Sequence, residues 1–323
     1  MRSLSGIQPS GRLHIGNYFG AIRQYLQLQE QGNECFYFIA NYHAMTSLRE
    51  ADQMREMCLH VAKAYLALGI DPARSAFFLQ SDVPQVAELC WMLNTVCPVS
   101  MMEKGHSYKD KVAKGLVASM GLFDYPVLQA ADIVIYDANI VPVGQDQKQH
   151  IEMTRDLAGK FNREYKTEAL LLPEPYIVDS VAIVPGIDGK KMSKSYHNTI
   201  EIFQTTKQTK KRCGKILTDA TPLEDAKDPN TCNVFALLKL VADEAELAEI
   251  AASYRAGGYG YGHAKNRLAE LLNERFADAR TAYDDLNDDD VMDILKDGGQ
   301  RARTVAEETM VRVREASGII TTY

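Results

Sequence analysis

The sequence predicts an α/β protein whose first part is a doubly wound, mostly parallel sheet and whose remainder is all-helical. Three observations carry this. Short apolar runs alternate with helical periodicity from residue 4 to residue 161, strand signals fade after Ser195, and four helical stretches divided by turn clusters fill the rest of the 323 residues. Such alternation implies parallel strands joined by crossover helices on both faces of a sheet. Ligands then bind beyond the carboxyl ends of the strands.

Taken in order, residues 4–7 form a first short strand that runs into a Gly/Pro/Ser turn at 8–11. Residues 17–30 keep helical spacing through Tyr18, Ile22, Tyr25 and Leu26. Residues 35–39, CFYFI, read as a buried parallel strand. A helix is expected over 54–68, strands over 76–79 and 140–143, and a helix over 146–161 with Ile151, Leu157 and Phe161 on one face. Beyond Ser195, helices are expected over 234–241, 245–254, 265–280 and 300–316. Leu268, Leu271, Leu272 and Phe276 form the apolar stripe of the third. Turns are expected at Asp228-Pro229-Asn230, Gly257-Gly258-Tyr259-Gly260 and Gly298-Gly299, and an acidic break at 284–290. The predicted domains are 1–195 and 196–323.

Composition narrows the class. With 46% hydrophobic and 24% charged residues, the chain has ordinary globular character and ample length for a core and two domains. No run of about 18 apolar residues suggests a membrane span, and residues 1–6 lack the apolar stretch of a signal peptide, so a cytoplasmic protein with no membrane partner is expected. The six cysteines include no CxxC pair and no zinc spacing, and are expected to be reduced core residues; no metal site is predicted. A net charge of −7 argues against non-specific nucleic-acid coating, and no DNA partner is expected. Within that acidic chain Lys207, Lys210, Lys211, Arg212 and Lys215 make one basic patch, which fits either a nucleic-acid contact or a solvated helix face.

Two segments carry chemistry. Lys191-Met192-Ser193-Lys194-Ser195 places two lysines three residues apart in a Ser-containing loop, where both can face one polyphosphate and stabilise a leaving group's charge. By average composition such a string arises by chance in roughly one in ten thousand chains of this length. Near the start, Gly6-Ile7-Gln8-Pro9-Ser10-Gly11 allows close backbone approach, Gly16-Asn17 opens a helix whose free N–H groups favour phosphate, and His14 stands within reach of a phosphoryl oxygen. That first segment alone also fits an ordinary turn with a surface histidine.

Together the two motifs resemble those of class I aminoacyl-tRNA synthetases. The fuller wording GIQPSGRLHIGNYFGA, with IVPVGQDQKQH at 140–150, AADI at 130–133, Asn41-Tyr42-His43-Ala44 and the late Gly258-Tyr259-Gly260, is similar over the whole length to the tryptophanyl-tRNA synthetase family. The resemblance implies a Rossmann-type catalytic domain followed by a helical anticodon-binding domain, with helix 300–316 a candidate to fold back on the first. It implies ATP with Mg2+, L-tryptophan and tRNA(Trp) as ligands, a homodimer, and in-line attack of the amino-acid carboxylate on the α-phosphorus.

Residue by residue, the resemblance gives ATP to Gln8, Pro9, Ser10, Gly16, Asn17, Gly144, Gln145, Asp146, Ile183, Lys191, Met192, Ser193, Lys194 and Ser195. It gives catalytic roles to His14, Asn17, Lys111, Lys191 and Lys194. Tryptophan falls to Asp132, Tyr125, Gln147, His43, Leu4, Val141, Val143 and Gln129, with Asp132 accepting from the indole N–H. An indole has one donor and no acceptor, and a site built on such a bond rejects analogues lacking it. Leu4, Gln129 and Gln145 stand where relatives often have an aromatic residue, Met and Glu; Gln129 is similar to a pocket glutamine of the tyrosine enzymes. Some relatives carry an iron–sulfur cluster on four cysteines. Only Cys232 stands where the first would be, so no cluster is expected. The alternatives are a tyrosine-specific enzyme of the same class and a non-catalytic paralogue that senses amino acid or RNA.

Overall fold

The computed structural model describes residues 1–103, 108, 109, 113, 117–143, 148–177 and 184–322. Five parallel strands form one sheet: β1 (Arg2–Ile7), β2 (Glu34–Ile39), β3 (Ser75–Leu79), β4 (Ile140–Val143) and β5 (Glu174–Ile177), in the order β3-β2-β1-β4-β5. Strand order reverses between β1 and β4. β1 pairs with β2 along its whole length, from Arg2 opposite Glu34 to Ile7 opposite Ile39. With β4 it shares the single pair Ser3–Ile140. The carboxyl ends of β1 and β4 therefore part, and a crevice opens at the switch point, where open α/β sheets bind ligands.

The side-chain period of 2 divides the strands between two cores. Cys35, Tyr37 and Ile39 of β2 face one, with helices Arg23–Glu30 and Ala51–Ala67 and most of the later helices. Phe36 and Phe38 face the other, with Gln85–Val96, Met120–Val134 and Lys148–Tyr165. Among the later helices, the expected helix 265–280 is two elements, Tyr261–Arg275 and Ala277–Asp285, joined at Phe276.

The expected break at 284–290 is present but narrower, at Leu286 and Asn287 between the helices Ala277–Asp285 and Asp288–Ser317, whereas the expected turn at Gly298-Gly299 is absent, because those glycines lie inside the second of these helices. Asn287 caps it by accepting from the Asp290 amide, and Asp288, Asp289 and Asp290 sit in its first turn. The acidic run is thus a helix start favoured by the macrodipole. The two glycines lie mid-helix because the helix crosses β3, the edge strand, backbone to backbone. A Cβ at Gly298 would stand 2.0 Å from the Phe77 carbonyl oxygen. Val291 and Leu295 on one side of the crossing belong to the first core, and Ala302, Ala306, Met310 and Val313 on the other side to the second. Buried Arg314 donates to both Glu88 carboxylate oxygens, at 2.8 and 2.6 Å, and Arg303 donates to the Asp82 carbonyl. Gly298→Ala should force helix and strand apart and lower stability by about 3 kcal/mol, measured by urea denaturation.

Candidate active site

A cavity of about 680 Å³ fills the crevice beyond β1 and β4. Leu4, Ser5, Gly6 and Gln8 form one wall and Val141 and Pro142 another. Tyr125, Gln129, Asp132 and Ile133 project from the helix Met120–Val134, His43 from the short helix Asn41–Ala44, and Phe38 from β2. Gly20, Ala21 and Gln24 close the remaining side; the first two lie in a π turn, Tyr18–Ile22, of the kind that helices often place at functional sites.

The polar centre of this cavity is Asp132, 2% exposed. Gln80 Nε2 donates to both its carboxylate oxygens, at 2.8 and 2.9 Å, and His43 Nε2 donates to Oδ2 at 2.8 Å, which requires the Nε2–H tautomer. Gln80 Oε1 in turn accepts from the Tyr42 amide at 3.0 Å, so one buried side chain holds both Asp132 and the helix carrying His43. A carboxylate has about four acceptor positions. Among the described residues Oδ2 accepts from both Gln80 and His43 and Oδ1 from Gln80 alone, which leaves acceptor capacity on Oδ1. Burial pushes the Asp132 carboxyl above its ordinary pKa, against the hydrogen bonds from His43 and Gln80, which pull it down. Across the cavity Tyr125 Oη lies 3.0 Å from His150 Nε2.

The two motif segments meet beside this cavity. The Asn17 side chain accepts from the His14 amide at 3.1 Å and starts the helix Ile15–Asn17. The Ile15 amide donates to the Ile200 carbonyl and the Ile202 amide to the Leu13 carbonyl, pinning the first turn to the chain that follows the lysine loop. A Cβ at Gly16 would stand 2.9 Å from His14 Nδ1 and 3.2 Å from Met192 Cβ, so only glycine lets the loops approach this closely. His14 is buried, with Nδ1 lacking a hydrogen-bond partner among the described residues. Burial, and then the neighbouring Lys194 charge, lower its pKa to about 4, leaving a neutral imidazole. Lys194 Nζ donates to the Gly11 carbonyl at 2.8 Å, and burial lowers the Lys194 pKa. Lys191 is exposed, Met192 is buried in the core beneath the loop, and Ser193 and Ser195 share a 2.9 Å hydrogen bond.

Similarity to known proteins fits this arrangement. Residues 1–277 match the family model described as tRNA synthetases class I (W and Y). The chain belongs to that family. It is 51% identical to a tryptophan–tRNA ligase of Fusobacterium nucleatum over 99% of this chain and 98% of that one. A crystal structure of tryptophanyl-tRNA synthetase from Campylobacter jejuni, complexed with ADP and tryptophan, superposes with a TM-score of 0.92 at 51% identity, covering 99% of this chain and all of that one. A tyrosyl-tRNA synthetase from Archaeoglobus fulgidus shares the fold, with a TM-score of 0.64 at 21% identity over 87% of this chain and 90% of that one.

In this class I synthetase, Leu4, Gln8, His43, Tyr125, Gln129, Asp132 and Val141 come together around one cavity, and His14, Gly16, Asn17 and residues 191–195 form the adjoining cluster. Pro9 is buried and Ser10 exposed in the turn between them, and Val143 ends β4. Lys111, Gly144, Gln145, Asp146, Gln147 and Ile183 lie outside the described residues. Gln80, Phe38 and His150 were not foreseen; Gln80 follows the run 76–79 directly, a position at the carboxyl end of a strand that marks it as a candidate.

Asn198 was also not foreseen. It is buried, accepts from the Ser193 amide at 2.8 Å, and donates to the Lys191 carbonyl and to Asp188 Oδ1. It shapes the lysine loop from beneath. Asn198→Ala should raise the KM for ATP and lower kcat about 100-fold, the scale of a small misplacement of reacting groups, measured by ATP–pyrophosphate exchange.

Proposed function

We propose that this chain ligates L-tryptophan to tRNA(Trp) through a tryptophanyl-adenylate, releasing diphosphate and then AMP. The observation that carries the reading is the buried Asp132, with acceptor capacity left on Oδ1 among the described residues, set among Leu4, Phe38 and Val141 in the crevice beside the lysine loop. That capacity suits a single N–H donor on a flat apolar ring. The indole N–H donates to Oδ1, and a ring without a donor leaves a desolvated carboxylate unsatisfied.

The activation step needs positioning and charge more than acid–base chemistry. Lys191 and Lys194 hold the diphosphate as it leaves, Lys194 exchanging the Gly11 carbonyl for a phosphate oxygen. The neutral His14 donates a hydrogen bond without adding charge, and Gly16 and Asn17 keep the backbone close to the nucleotide. Gln8, Pro9, Ser10, Met192, Ser193 and Ser195, with Lys111, Gly144, Gln145, Asp146 and Ile183, complete the ATP site. Gln147, Tyr125, Val143 and Gln129 complete the tryptophan site. Mg2+ arrives on the phosphates of ATP, its usual mode in nucleotide enzymes.

Residues 1–195 are the catalytic domain and residues 196–323 the anticodon-binding domain, with the helix Asp288–Ser317 docked back on the sheet. The working unit is a homodimer in the cytoplasm. Exposed Met45 and Met120, with Ala87, line an apolar recess of about 540 Å³, and Trp91, 71% exposed, lies one helical turn beyond Ala87. A second copy is the natural cover for such a patch. Among the described residues no helix is long and apolar enough to cross a membrane.

The test is ATP–pyrophosphate exchange with tryptophan and tyrosine in parallel. Exchange with tryptophan alone is expected; exchange with tyrosine alone transfers the assignment to the tyrosine enzymes, and exchange with neither makes the chain a sensor.

A further inference from the structure

The helix Thr206–Gly214 has two unlike faces. Thr209 and Cys213 are buried against the helix Tyr261–Arg275. Lys207, Lys210 and Lys211, with Lys215 one turn on, fall at i, i+3, i+4 and i+8 and are all exposed. Lys265 extends the stripe, its Nζ 3.4 Å from the Gly214 carbonyl oxygen. Arg212, from the same basic run, turns inward and donates to the His197 and Thr199 carbonyls. The segment 206–214 contains no Asp or Glu, and among the described residues none of the stripe lysines has a carboxylate within salt-bridge distance. Like charges spaced i, i+4 destabilise a helix. An unanswered cationic stripe in a chain of net charge −7 is accounted for when a polyanion supplies the counter-charge.

We propose that this stripe is a docking surface for the phosphate backbone of the substrate tRNA. The inference rests on the tRNA ligase function proposed above. Four or five ammonium groups spaced along one helix face track a run of phosphates as point charges, which position the RNA without reading its sequence. Binding through them releases condensed counterions, so its strength falls steeply with salt. The stripe lies on the element after the lysine loop, and the inward Arg212 ties this element to the carbonyls on either side of Asn198, the residue that shapes that loop.

The experiment uses the full chain with Lys207, Lys210, Lys211 and Lys215 changed to Gln, and a second variant with the same four changed to Arg. The tRNA(Trp) transcript is titrated between about 50 and 200 mM salt. The Gln variant should bind tRNA about 10- to 100-fold more weakly at low salt, and the slope of log K against log salt should flatten by about 3 to 4. Tryptophan-dependent pyrophosphate exchange, which involves no tRNA, should be unchanged, and the Arg variant should keep wild-type affinity and slope. Wild-type affinity and slope in the Gln variant would overturn the proposal. If the quadruple variant does not fold, the pairs Lys207→Gln with Lys211→Gln and Lys210→Gln with Lys215→Gln should each flatten the slope by about 2. Absence of tryptophan-dependent exchange in the wild type would instead refute the function itself.

Discussion

Asp132→Ala is expected to lower kcat/KM for tryptophan by about 10³-fold or more while leaving the KM for ATP unchanged. The variant removes the acceptor proposed for the indole N–H and strands two buried donors, Gln80 Nε2 and His43 Nε2. Discrimination against phenylalanine should collapse in step, because sites that hydrogen-bond a substrate group reach about 10⁴–10⁵ in selectivity and lose it with the bond. Parallel exchange assays with the two amino acids measure both. Gln80→Met gives a subtler version, keeping the volume and removing two hydrogen bonds to the carboxylate. Burial already raises the Asp132 pKa, and hydrogen bonds to the ionised form hold the rise in check. The acceptor works only when ionised, so wild-type kcat/KM falls as pH drops through that raised pKa. In Gln80→Met the pKa rises further, and the acid limb of the profile should move to higher pH. An unmoved limb would show that Gln80 does not tune the carboxylate.

Lys194→Ala is expected to reduce kcat for pyrophosphate exchange by about 10²–10³-fold, the effect of deleting one preorganised donor at a site of developing charge. The KM for tryptophan should stay near wild type, because Lys194 lies outside the cavity holding Asp132. Lys194→Arg should rescue little. The ammonium donates to the Gly11 carbonyl from a half-buried position close to His14, and a planar guanidinium does not replace a compact point charge there. Wild-type kcat in the alanine variant would remove Lys194 from the reaction.

Much of this was legible in the sequence for identifiable reasons. Four of the five strands stand out because buried parallel strands read as apolar runs, as CFYFI does. β5, with sequence EPYI, is short and interrupted by Pro175, so it gave no such run. The residues around Asp132 were legible through motif resemblance. Gln80 and Asn198 were not, because each acts by hydrogen bonds to partners distant in sequence or buried, Gln80 on Asp132 52 residues away, and nothing local marks such a role. The Gly298-Gly299 pair misled for a physical reason. Glycine usually ends helices, but here it thins one so that a strand can pass at backbone distance.

That crossing also bears on how the chain folds during its own synthesis. β3 is complete by residue 79, yet the helix that shields its outer edge begins at Asp288. About two hundred residues are translated while the sheet has an open side able to pair with a neighbouring chain. Both cores also stay unsealed until that last helix arrives, since it contributes to each. Until the helix Asp288–Ser317 has been made and has docked, the outer edge of β3 is an edge open to pairing with another chain.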